Sequence, residues 1–149
     1  MARDSAACCI FNSKFVYVFS GRIKFQPKEI TDICECYNID KNIWEIIEVN
    51  NKESWISCDL AMAYQVDNDK ILIFGGFDHQ NRTEASFTFN TNTKTIARQG
   101  NLPTVGSFST MVFHIDDSLY TVGWNNSKKN LYKYQITGSK WTVDDGFTI

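Results

Sequence analysis

The stretch 69–96, DKILIFGGFDHQNRTEASFTFNTNTKTI, decides how the whole chain is read. It follows an acidic turn, Asp67-Asn68-Asp69. A short apolar run, Ile71-Leu72-Ile73-Phe74, ends on Gly75-Gly76. A polar loop leads to the alternating segment Ser86-Phe87-Thr88-Phe89, then to a polar turn over 90–94 and to Ile96. Short apolar or alternating runs bounded by turn residues predict strands. Two other segments have the same order. Val16-Tyr17-Val18-Phe19 runs into Ser20-Gly21, with Tyr37, a turn over 38–42 and Trp44 beyond. Leu119-Tyr120-Thr121-Val122 runs into Gly123-Trp124, with Tyr134, a turn over 137–140 and Trp141 beyond.

The spacings make these three copies of one unit. Between Gly21, Gly76 and Trp124 they are 55 and 48 residues. Between Tyr37, Phe89 and Tyr134, and again between Trp44, Ile96 and Trp141, they are 52 and 45. The aromatic position and the Trp-type position are seven residues apart in every copy. Length variation therefore falls in the loop after the glycines, where insertions are tolerated. The units divide the single domain, 1–149, at about 1–50, 51–100 and 101–149.

Each unit predicts four short strands joined by hairpin-type turns. They are 6–11, 16–19, 32–37 and 44–49 in the first unit, and 60–66, 71–74, 85–89 and 95–98 in the second. In the third they are 107–115, 119–122, 131–134 and 141–143, and the segment 21–30, with Pro27, is expected to be a loop. No segment has sustained helical periodicity, so the fold class is all-β. A four-stranded unit of this size cannot bury both faces alone. Stacking such sheets about an axis buries them and leaves only short edges, which is a β-propeller arrangement. Gly21, Gly75, Gly76 and Gly123 are expected to admit a positive φ or a close backbone approach where a strand ends. The aromatic and Trp-type positions are expected to fill the gaps between sheets.

Composition narrows the function classes. An apolar content of 43% suffices for a core, and 14% aromatics with only two prolines favour pleated strands over helices. The net charge of −2 lacks the excess of base that a duplex binder carries, so no nucleic-acid partner is expected. Five cysteines without regular spacing are no disulfide framework; free thiols fit a reducing compartment, and a cytoplasmic location is expected. No apolar run approaches membrane-spanning length, so no membrane partner is expected.

Unit two resembles a kelch repeat: an apolar run, Gly-Gly, a polar loop, an aromatic, and a Trp-type position seven residues on. The start of unit one is similar to the Arg-x-x-His-Ala-Ala-Cys opening of such repeats, with Arg3 followed by Ser5-Ala6-Ala7-Cys8. The likeness covers nearly the whole chain. Ser20 and Trp124 stand in place of glycine, and Ile96 in place of Trp. The resemblance implies a propeller segment of three four-stranded antiparallel blades, about half of the six-bladed ring common in the family. It implies a protein-interaction module, a scaffold or substrate adaptor, that is not an enzyme. The alternatives are a kelch-like enzyme, such as a sugar epimerase or oxidase, and a truncated fragment without function. Half a ring leaves the outer faces of units one and three open, so flanking blades or self-association is expected to cover them.

The residues that could carry chemistry read mostly as structure. Asp116-Asp117 and Asp144-Asp145 could act as acid and base. Asp116-Asp117 fits a hairpin turn better, and the second pair a solvated end. Cys34 and Cys36 share one strand face, but with His79 and His114 the only histidines, no spacing matches a zinc site and no metal is expected. Gly75-Gly76 lacks the Gly-Lys-Ser/Thr of a phosphate loop, and no cofactor is expected. There remain the loops after the second strands, expected to share one rim. The first holds Arg22, Lys24, Phe25 and Lys28, and the second Asp78, His79, Asn81 and Arg82. The third holds Trp124, Asn125, Lys128 and Lys129. More basic than acidic, they are expected to bind an acidic segment of a partner protein.

Overall fold

The computed structural model describes residues 1–79, 81–103, 107–125 and 128–144, with backbone alone at 107–110, 124, 125 and 128. Asp145, second of the C-terminal acid pair, lies outside the described residues. The chain begins with β1 (Ala7–Phe11) and β2 (Phe15–Phe19). A two-stranded ribbon, β3 (Arg22–Lys24) and β4 (Glu29–Ile30), precedes β5 (Cys34–Asn38) and β6 (Ile43–Ile47). The second unit is β7 (Met62–Gln65), β8 (Lys70–Phe74), β9 (Ser86–Asn90) and β10 (Thr95–Arg98). The third is β11 (Ser107–Ile115), β12 (Ser118–Asn125), β13 (Lys128–Gln135) and β14 (Lys140–Asp144). Apart from the ribbon, each unit is one antiparallel four-stranded sheet with its strands in chain order.

The turns explain why the strands reverse where they do. Asn12, Ser13, Asn42, Lys94, Asp116 and Ser139 all take φ between 48° and 58°. Left-handed turn residues of this kind match the twist of the strands they join. The seven-residue repeat spacing also has a geometric cause. Tyr37 lies opposite Trp44, Phe89 opposite Ile96, and Tyr134 opposite Trp141, so the two positions form one cross-strand pair in every blade.

Alternation along β8 joins the three sheets. Ile71 and Ile73 face the first sheet, beside Tyr17, Phe19 and Phe89. Leu72 and Phe74 face the third, beside Tyr134 and Trp141. All four residues are buried, so the middle sheet is covered on both faces. The rings of Phe19 and Phe89 meet edge to face at 5.3 Å, and those of Phe74 and Trp141 lie 4.8 Å apart. Such contacts add to the area term, which is about 25 cal/mol per Å2 of apolar surface removed from water.

The first strands gather towards an axis. The Leu60 amide donates to Ser5 O at 2.8 Å, and the Gln65 amide exchanges bonds of 2.7 and 2.8 Å with Asn12. On the other side, Tyr64 meets His114 edge to face at 5.8 Å. The sheets thus fan out as three propeller blades, and the ring they begin is not closed.

Three expectations change. The segment 21–30 is not a plain loop but carries the β3–β4 ribbon. In the third unit, β12 runs on through Gly123 and Trp124 to Asn125 and pairs directly with β13. Gly21 and Gly76 turn the chain out of the sheet with φ of +101° and +93°. A tryptophan at the matching position makes that conformation costly, and there the strand continues. Finally, Trp44 does not fill a gap between sheets. It is 57% exposed, because its face of the first sheet points away from the second.

Candidate rim site and axial groove

The loops of the first two blades meet at one rim, and a carboxylate that the sequence reading did not single out holds them. Asp59 is 2% exposed. Lys28 Nζ lies 2.8 Å from Asp59 Oδ1, and Arg22 NH1 lies 3.6 Å from Oδ2. Oδ1 has no well-aligned hydrogen bond, so the ammonium charge rather than a directed bond compensates it. Arg22 also donates from Nε and NH2 to Asp4, at 3.0 and 2.9 Å, and its guanidinium lies 4.5 Å from the centroid of the Phe25 ring. Lys28 bridges to the second loop by donating to Asp78 O at 2.9 Å. Lys28 and Arg82 both stack over Phe77, at 5.7 and 5.5 Å.

A repeated backbone device places these groups. Asp4 and Arg22 exchange amide bonds of 2.9 and 2.8 Å; Asp59 and Phe77 do the same at 3.0 and 2.8 Å. Each Asp is followed by a left-handed residue, Ser5 or Leu60, with φ of 54° and 57°. Asp4 and Asp59 each stand three residues before a first strand, at Ala7 and Met62. That matching offset is the sequence signal by which Asp59 could have been found.

The geometry therefore divides the candidate residues. Arg22 and Lys28 are committed to internal carboxylates. Lys24, Phe25, His79 and Arg82 face solvent, with Phe25 67% exposed. Beside them an open groove of about 300 Å3 is lined by Ile56, Ser57, Asp78, His79 and Asn81. The Asn81 amide donates to Asp78 Oδ1 at 2.7 Å, which fixes that loop. Trp124 and Lys128 lie in the paired ends of β12 and β13, and their side chains fall outside the described residues.

The other candidates are structural. Asp117 accepts from the Thr137 hydroxyl and from the Ile136 amide (the latter to its backbone oxygen, at 2.9 Å), so it ties two hairpin turns together. Burial pushes the Cys9, Cys34 and Cys58 thiols up to about 12, and burial likewise raises Cys36. Tyr17 is raised by burial and then by its neighbour Cys36. Thiols this hard to ionise are poor nucleophiles and poor metal ligands. Among the described residues, no group of three or more His, Cys, Asp or Glu is placed to hold a metal. An axial groove of about 700 Å3 runs between the first strands, past Cys8, Ile10, Tyr64, Asp67 and His114.

No family model and no curated protein matches the chain. No described helix is long and apolar enough to cross a membrane.

Proposed function

We infer that the chain is a kelch-type propeller segment acting as a protein-interaction module, without catalysis of its own, whose rim takes an acidic segment of a partner protein. The observation that carries this is the division of labour at the rim. The Asp59 carboxylate fixes Arg22 and Lys28, and around this anchored base Lys24, Arg82 and the Phe25 ring face solvent. An exposed aromatic on a rim that also carries solvent-facing cations suits a segment that offers carboxylates and some apolar surface. Preorganised loops lose less entropy on binding than free ones. All five cysteines are free thiols, which suits a cytoplasmic setting.

The test is fluorescence anisotropy with a labelled glutamate-rich peptide at two salt concentrations. The wild-type chain is expected to bind, more weakly at high salt. The K24E/R82E variant is expected to bind at least about tenfold more weakly, since it reverses two exposed contacts and spares the Asp59 cluster. Absence of binding by the wild-type chain, or equal binding by the variant, defeats this reading.

A further inference from the structure

We propose that two copies of this chain associate head to tail, the outer face of the third sheet of each seating on the outer face of the first sheet of the other, to close a six-bladed ring. This is independent of the rim.

The repeat supplies the argument, because equivalent positions meet different fates. Tyr17 and Phe19 of the first blade correspond to Leu72 and Phe74 of the second and to Tyr120 and Val122 of the third. The first two pairs are buried against the sheet that follows. Tyr120 and Val122 remain half-buried, with Phe113 and Ile115 exposed beside them. The opposite faces behave the same way. Phe89 with Ile96, and Tyr134 with Trp141, are buried against the sheet that precedes. Their counterparts Tyr37 and Trp44 have no preceding sheet, and Ile46 next to them is 72% exposed. Among the described residues, the three blades thus leave uncovered one face at the position that twice covers a following blade and one at the position that twice covers a preceding blade. The junctions within the chain show that these two kinds of face fit each other.

Each face carries one charged residue among its rings. Glu35, on the open face of the first sheet, is paired with Arg3 and with the Met1 amine, and Lys133, on the open face of the third, lies over the Tyr120 ring at 5.7 Å. Area favours a closed pair over a single junction. Four strands about 4.8 Å apart and about five residues long give each face a footprint of roughly 320 Å2. One junction falls well short of the about 800 Å2 per partner of a stable interface, whereas closure uses both faces of each chain and approaches it. Closure by a twofold axis also ends growth, which a head-to-tail contact otherwise leaves open.

The experiment is sedimentation velocity on the 149-residue chain over a wide concentration range, with circular dichroism to confirm folding. The expected species has twice the 17.1 kDa chain mass. Trp44→Glu and Phe113→Glu, at exposed positions on opposite ends, are each expected to weaken the pair by about thirtyfold or more, the loss typical of a central aromatic contact. Mixing the two variants leaves one junction intact, and partial association is expected to return. A folded monomer at every concentration overturns the proposal. So does a dimer sensitive to only one of the two variants, which would mean a like-to-like face, and so do open polymers.

Discussion

Trp141 donates its indole N–H to Ser86 Oγ, 3.2 Å away, across the junction of the third and second sheets. Ser86 passes its own hydroxyl hydrogen to Gly100 O at 2.5 Å, and its side chain is fully buried. A large ring at a dry junction brings one polar atom with it, and that atom must find a partner. Ser86→Ala removes the acceptor and strands the buried indole N–H, while the exposed Gly100 carbonyl can turn to water. We expect a loss of about 1–3 kcal/mol in urea denaturation. Trp141→Phe in the Ser86→Ala background is expected to cost less than in the wild type, because the orphaned donor is already there. Additive costs for the two changes would show that the bond carries no coupling.

Gly76 is the position where backbone conformation is least negotiable. Its φ is +93°, and an added Cβ would sit 2.6 Å from Asp59 O and 2.8 Å from Ala61 N. Both neighbours are main chain, and Asp59 is locked by its paired amide bonds to Phe77. Gly76→Ala therefore combines a disfavoured φ with a clash that no rotamer relieves. We expect a loss of at least about 2 kcal/mol. Gly138→Ala serves as the control, since its nearest contact is the flexible Gln135 side chain at 3.3 Å. Equal midpoints for the two variants in thermal melts would contradict this account.

Much of the fold was legible because it is written in local chemistry three times. The alternation of Ser86-Phe87-Thr88-Phe89, the turn residues and the seven-residue interval each fix a strand, a reversal or a cross-strand pair without reference to distant residues. What was not legible depends on long-range placement. Nothing near Asn51 in sequence shows that its side chain clamps Ile96, donating to the carbonyl at 2.6 Å and accepting from the amide at 3.1 Å. The rim residues were legible as basic loop positions. Their division into anchored Arg22 and Lys28 and solvent-facing Lys24 and Arg82 was not, because Asp59 reaches them across the fold.

The thiols give a pH-dependent prediction. Cys9, Cys34 and Cys58 stand near 12 in the folded chain, above the ordinary 9.0, chiefly because burial disfavours the thiolate. Unfolding releases their protons above that ordinary value. Their contribution to stability is therefore complete below about pH 9 and is lost as pH rises towards about 12, at up to about 1.4 kcal/mol per pH unit for each thiol. Cys34→Ala is expected to shallow this alkaline slope in urea titrations, whatever it does to stability at neutral pH. In native labelling with a thiol reagent, exposed Cys8 is expected to react first and half-buried Cys9 more slowly, with buried Cys34, Cys36 and Cys58 following only on unfolding. Fast reaction of all five in the native state would contradict the burial described above.

Asp59 tests whether the rim is held by charge or by shape. Its carboxylate is buried, while the side chains of Lys28 and Arg22 keep 29% and 21% of their exposure. The two ends of the cluster are therefore unequal. With the acid removed, the cations can turn towards water; with Lys28 removed, a buried anion is left with Arg22 at 3.6 Å. Lys28→Met is accordingly expected to cost about 3–5 kcal/mol, the penalty of breaking a buried pair from the accessible side. Asp59→Asn keeps the shape and removes the charge, and is expected to cost less. The double variant should recover part of the Lys28→Met loss, since no unpaired charge remains. If Asp59→Asn is the more damaging single change and the double variant is worse than either, directed bonding at Asp59 governs the rim, and the ion pair is secondary.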